Sequence, residues 1–218
     1  MTTGSPTSTA VKTEAFDVVA STTCQSLPAY PFATEIATGA FVNSKLVICG
    51  GTFDTIGRCY SLSQNEAAWK SSGNLIAPRK GAASAAVNNT LVIFGGYYTT
   101  LIQSTEEIDV ETGTATAGPN MPLAVKFHCA VTLNTTTVLI IGGFDGSSYF
   151  GSTYFYNVNV KSFTSGPSLT VARGYHGCSI LTTGTERFVV VTGGFNGVKL
   201  DSTEVMDLNQ PTMWQTGL

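Results

Sequence analysis

Two histidines, five cysteines and a recurring set of strand carboxylates are the side chains of this 218-residue chain best suited to chemistry. His128 and His176 could share a weak metal site, or each imidazole could be bonded to a neighbouring carbonyl. The cysteines, Cys24, Cys49, Cys59, Cys129 and Cys178, show no zinc-ligand spacing. No Gly-x-Ser-x-Gly elbow and no His-Glu-x-x-His helix occurs. Glu106, Glu107 and Asp109 crowd into one short segment instead of converging from distant ones. Asp17, Asp109 and Asp207, with Asn157, recur in one local pattern and read as turn-forming acceptors. The chemistry points away from catalysis, and no cofactor or metal is expected.

The bulk properties narrow the class further. Hydrophobic residues make up 43% and charged residues 11%, with 23 glycines, a globular composition whose Ser, Thr, Asn and Gly favour strands and turns. The net charge of −3 and the absence of a Lys/Arg cluster speak against nucleic acid as a partner. No apolar run approaches the roughly 20 residues of a membrane span. Met1 to Ala10 lacks the basic start and apolar stretch of a secretory signal.

The elements that must position any site repeat. Four apolar runs each end in Gly-Gly: Leu46–Gly51, Leu91–Gly96, Val138–Gly143 and Val189–Gly194. Their first glycines, Gly50, Gly95, Gly142 and Gly193, are 45, 47 and 51 residues apart. A period near 50 is the mark of a repeat architecture. After each doublet comes an alternating strand: the weak Cys59–Leu62, then Thr105–Val110, Thr153–Val158 and Thr203–Leu208. A large apolar residue then follows in three units (Trp69, Phe163, Trp214), whereas the second has Ala115-Thr116. Pro-containing turns at Pro78, Pro119–Pro122 and Pro167 lead into the next unit.

This pattern resembles the kelch repeat over essentially the whole chain, with the likeness lying closest to multi-kelch proteins. The resemblance implies an all-β kelch-type propeller, each repeat a four-stranded antiparallel blade (strands a to d) set about an axis. Blades are expected at 36–72, 82–118, 128–166 and 176–216. Thr13–Val18 copies the third-strand pattern and Cys24 falls where the Trp would sit, so residues 1–25 are expected to be strands c and d of a preceding blade. Four and a half blades leave the ring short, and the expectation is a fragment of a larger propeller with edges open to pairing.

Cys49 and Cys59 fall in neighbouring strands of one blade, where they form either a disulfide or two small buried apolar residues. Asn88-Asn89-Thr90 and Asn134-Thr135-Thr136 are glycosylation sequons, or simply turn chemistry, in the a–b hairpins. Together they favour a secreted or extracellular setting over a cytoplasmic one.

By resemblance, the loops joining b to c and d to a project from one face and carry the partner site. Here they hold Arg79, Tyr97, Tyr98, Tyr149, Phe150, Arg173, Tyr175 and Asn196 as binding candidates. Tyr, Phe and Arg dominate protein interfaces. Phe53, Phe144 and Phe195, first or second after Gly-Gly, are instead expected to pack beneath their loops. The function implied is non-catalytic binding of a protein partner. A galactose-oxidase-like or carbohydrate-binding propeller, and the substrate-recognition part of a kelch ubiquitin-ligase adaptor, are the alternatives.

Overall fold

The structure is a computed structural model and describes residues 16–17, 22–23, 27–52 and 56–217. Among them there is no helix. Strands β1 (Phe16–Asp17) and β2 (Thr22–Thr23) form a two-stranded antiparallel sheet. Four four-stranded antiparallel sheets follow, arranged as the blades of a propeller. Blade 1 holds β3 (Thr38–Val42), β4 (Lys45–Cys49), β5 (Arg58–Ser63) and β6 (Lys70–Asn74). Blade 2 holds β7 (Ala83–Val87), β8 (Thr90–Phe94), β9 (Ser104–Asp109) and β10 (Ala115–Asn120). Blade 3 holds β11 (Cys129–Thr132), β12 (Thr137–Phe144), β13 (Tyr149–Asn157) and β14 (Ser162–Ser165). Blade 4 holds β15 (Gly177–Thr183), β16 (Glu186–Thr192), β17 (Thr203–Asp207) and β18 (Gln215–Thr216).

The second strand of each blade reads as a continuous apolar run because alternate residues serve opposite seams. Val47 and Cys49 of β4 pack with Leu91 and Ile93 of β8. The intervening Val92 and Phe94 turn the other way, onto Val138 and Ile140 of β12. Leu139 and Ile141 then meet Val189 and Val191 of β16. Side chains that alternate across a sheet covered on both faces must be apolar at every position.

The glycine doublets close each seam. Gly50, Gly51, Gly95, Gly96, Gly142 and Gly143 all have positive φ. A Cβ on Gly50 would stand 2.3 Å from the Arg79 carbonyl oxygen, and one on Gly142 2.6 Å from that of Arg173. The second glycine of the first three doublets donates its N–H to the turn entering the next blade: Gly51 to Arg79 (3.1 Å), Gly96 to Val125 (2.9 Å), Gly143 to Arg173 (2.9 Å). Any side chain at the first glycine would push that turn away.

The same turns are linked to one another. Gly81 N–H donates to the Ile36 carbonyl, Phe127 to Gly81, and Tyr175 to Phe127, at 2.8–2.9 Å. All four residues have φ between 52° and 60°. This ladder runs blade to blade along the inner rim.

The other repeated residues serve turns and rims. Asp109, Asn157 and Asp207 accept backbone N–H groups of the turn that follows each third strand. Trp69 and Trp214 donate their indole N–H to the carbonyls of Pro28 and Pro167 in the preceding turn.

Candidate functional site

Two of the strongest sequence candidates leave the surface. Arg79 and Arg173 are 0% exposed, against the expectation that their guanidinium groups reach outward. Each main chain bonds to one blade while its side chain anchors the next. Arg79 Nη1 donates to the carbonyls of Gly95 and Ser104 (both 2.8 Å), and Nη2 to Ser104 Oγ (2.9 Å) and Glu106. Arg173 repeats the set on Gly193 (2.8 Å), Ser202 (3.0 and 3.1 Å) and Glu204 (2.8 Å). Each glutamate also accepts two backbone N–H groups, Ile76 and Ala77 for Glu106, Thr170 and Val171 for Glu204. Burial pulls the Arg79 guanidinium below its ordinary pKa while Glu106 opposes that pull. The guanidinium groups turn inward because their fork of donors is consumed by carbonyls that a strand end leaves unpaired. The signal available in the sequence was the phase of the pair, an arginine after the proline turn and a Ser-Thr-Glu start to the third strand.

The residue after each arginine position is bracketed to an aromatic of the following loop. Lys80 exchanges two backbone hydrogen bonds with Tyr97 (2.9 Å each), Lys126 with Phe144 (3.0 and 2.9 Å), and Gly174 with Phe195 (3.0 and 2.8 Å). These brackets fix the first aromatic after each of the last three glycine doublets, so that rings from blades 2, 3 and 4 adjoin. Phe127 stacks on Tyr175 at 4.0 Å between centroids, and Tyr97 meets Phe127 edge-on at 5.7 Å. Phe144 stacks on Tyr149 at 4.5 Å, and Tyr149 meets Phe195 at 5.7 Å. Gly81 makes room for this: a Cβ there would lie 2.8 Å from the Phe127 ring. The Tyr175 hydroxyl is pushed above its ordinary pKa by burial, then by Tyr149 and Tyr97.

Two lysines lie over this aromatic ledge. Lys126 Nζ stands 4.1 Å from the centroid of Tyr97, 5.4 Å from Phe127 and 5.6 Å from Phe144. Lys80 Nζ stands 5.0 Å from Tyr97. Ammonium groups at such distances are attracted by ring quadrupoles.

The remaining candidates divide. Tyr98 (51% exposed) and Tyr175 (54%) are open to solvent, and Tyr97 and Tyr149 are half-buried within the ledge. Phe150 turns inward and packs against the core between blades 2 and 3. Asn196 is half-buried, its N–H donated to Val198 in a tight loop. Phe144 and Phe195 are half-buried and belong to the ledge. Phe53, Asp54 and Cys24 lie outside the described residues. Lys126 and Phe127 were missed, although they occupy the register of Lys80-Gly81 and Gly174-Tyr175.

Cys49 and Cys59 form a disulfide (S–S 2.04 Å) between paired positions of β4 and β5. A second disulfide, Cys129–Cys178, ties β11 to β15 and so joins blades 3 and 4. It was legible only with the blade order in hand, because Cys178 is displaced by one residue from the Cys129 register. That displacement turns it to the facing side. Asn88 and Asn134 lie in a–b turns, at the end of the blades opposite the ledge. His128 and His176 are buried, each imidazole beside a strand-end backbone group, that of Phe94 for His128 and that of Ile141 for His176. Burial first, then neighbouring charge, holds His128 at about 3 and His176 at about 4. Among the described residues no three His, Cys, Asp or Glu side chains gather as a metal site. No helix among them is long and apolar enough to cross a membrane.

Sheets of four antiparallel strands, stitched in series by glycine doublets, define a β-propeller. Residues 36–216 match the family model described as the KLHDC2/KLHL20/DRC7 Kelch-repeats domain, and the chain belongs to this kelch family. Propellers of this family serve generally as protein–protein interaction modules and are generally non-catalytic. A comparison with curated proteins found no significant match.

Proposed function

We propose that this chain is a non-catalytic binding module that takes a protein partner on the b–c and d–a loop face, with Tyr97, Tyr98, Tyr149 and Tyr175 as contacts and Phe127 and Lys126 completing the surface. The observation that carries this reading is the ledge: rings from three blades, held by paired backbone bonds, with Tyr175 half open to water and Tyr98 exposed in the same b–c loop as Tyr97. Rigid aromatic rings with polar tips give large contact area at small entropic cost. Arg79, Arg173 and Phe150 are left out of the contact set, since their side chains are spent inside the seams. Asn196 stands at the margin of the surface.

The two disulfides and the sequons at Asn88 and Asn134 support an oxidising, extracellular setting. Glycans on those turns would leave the ledge uncovered.

The test is affinity capture with wild-type chain, a Tyr98→Ala/Tyr175→Ala double variant, and an Asn88→Ala control on the far end. Proteins recovered by wild type and control but lost by the double variant support the reading. Equal recovery by all three discards the ledge as the contact surface.

A further inference from the structure

We infer that the segment received by the aromatic ledge is acidic, a stretch of peptide whose carboxylates seat on Lys80 and Lys126. This deepens the proposed function and rests on it.

The lysines of this chain fall into two sets. Lys45 pairs with Glu111 (2.7 Å), Lys70 with Glu66 (2.6 Å) and Lys161 with Glu107 (2.9 Å). All three lie toward the a–b and c–d turns, at the end away from the ledge. The other described lysines are Lys80, Lys126 and Lys199, all in d–a or b–c loops at the ledge end. No described carboxylate forms an ion pair with any of them. In a chain of net charge −3, acids are available to neutralise lysines, and at one end they do so.

Nor does the acid that follows Phe144 fill the role. Asp145 follows Phe144 in the blade 3 loop, but its Oδ1 accepts the N–H groups of Ser147 and Ser148 (2.7 Å each) and the Ser147 hydroxyl (2.9 Å). Those bonds hold its carboxyl below the usual range and tie it to its own turn.

The lysines are also restrained. The brackets to Phe144 and Tyr97 fix their backbones, and the rings beneath hold the ammonium groups. Ordering costs are then small when a carboxylate arrives. An ammonium over an aromatic face keeps its outward N–H groups free, so it can hold a carboxylate while the partner's apolar atoms touch the rings. A basic segment would meet two fixed like charges, and a neutral one would leave both unpaired.

The probes are a fluorescein-labelled Glu/Gly peptide and its Gln/Gly and Lys/Gly counterparts, titrated by anisotropy at low and at moderate salt. The proteins are wild type, Lys80→Glu, Lys126→Glu and Tyr98→Ala/Tyr175→Ala, with unchanged thermal unfolding as the control for folding. We expect the Glu/Gly peptide to bind, to weaken with salt, and to lose about tenfold or more in affinity with either charge reversal. The Gln/Gly and Lys/Gly peptides should not bind. Equal binding of Glu/Gly and Gln/Gly peptides, or unchanged affinity in both lysine variants, overturns the acidic assignment. If the Tyr98→Ala/Tyr175→Ala variant still loses its captured protein in that case, the ledge stands as contact surface and only the partner's chemistry is wrong. If capture is also unchanged, the surface itself is wrong.

Discussion

The three seams between blades are built to one plan but finished differently. The seams between blades 1 and 2 and between blades 3 and 4 each carry a buried arginine, a buried glutamate and a bridging serine: Arg79, Glu106, Ser104, and Arg173, Glu204, Ser202. At the seam between blades 2 and 3 the arginine position is Val125 and the glutamate position is Tyr154. Both members of the pair are gone together. The seam is apolar instead, with Met121, Val125 and Phe94 packed against Tyr156 and Phe163. The serine remains, and Ser152 Oγ is buried without a hydrogen-bond partner. The backbone bond from Gly96 to Val125 is kept. The invariant of the repeat is thus the glycine-to-carbonyl stitch with its apolar filling, and the ion pair is an addition that works only as a set.

The largest effect should come from breaking one half of a set. Glu106→Leu or Glu204→Leu leaves a guanidinium in the seam with only carbonyls and a hydroxyl, and should cost about 3–5 kcal/mol in chemical denaturation. The double variant Arg173→Met/Glu204→Leu should cost clearly less than the two single changes added together, because no orphan charge remains. A strictly additive result would mean that the pair is not acting as one unit.

The third and fourth blades also share the Cys129–Cys178 bridge. Cys129→Ala/Cys178→Ala should lower stability by about 2–4 kcal/mol under oxidising conditions and by nothing once both forms are reduced. Both cysteines are partly exposed, whereas Cys49 and Cys59 are sealed in the first seam. Mild reductant followed by alkylation should therefore label Cys129 and Cys178 first.

Acid offers a way to load two seams without mutation. A Cβ on Gly95 or Gly143 would touch His128, and one on Gly142 or Gly194 would touch His176, so the imidazoles fill the seams on either side of blade 3. Held neutral down to about 3 and about 4, they take up protons in the unfolded chain first. Stability is then full above about pH 6.5 and falls as the pH drops, by about 2 kcal/mol per histidine at pH 5. A variant lacking His128 should show about half the slope. A flat profile between pH 7 and 5 would contradict the burial of both rings.

The smallest difference is the sharpest comparison. Ser104→Ala removes an acceptor from Arg79 and should cost about 1 kcal/mol, whereas Ser152→Ala removes an orphan and should be neutral or slightly stabilising. Equal costs would show that the two serines are not distinguished by the missing arginine.

The blades were legible because period and alternation are local properties of the chain. The glycine doublets, the apolar runs that follow both seams and the Cys49–Cys59 bridge all sit within one repeat. What escaped depends on how neighbouring repeats face each other. Arg79 and Arg173 look like surface residues until the carbonyls of Gly95 and Gly193 come within reach of their guanidinium groups. Phe127 has no local pattern to mark it, and only its backbone, at φ 57°, turns the ring onto Tyr175. Cys129 and Cys178 lie 49 residues apart and meet only across a seam.

One face thus holds arginines that tie blades together and rings that are left for a partner. The measurement that bears on this division most directly compares Arg173→Met/Glu204→Leu with Tyr98→Ala/Tyr175→Ala, reading thermal unfolding and partner capture from the same preparations. The first variant should unfold at lower temperature and capture partner normally while folded. The second should unfold like wild type and lose capture. The reverse outcome, tyrosine changes that lower the unfolding temperature while capture persists, would contradict that division.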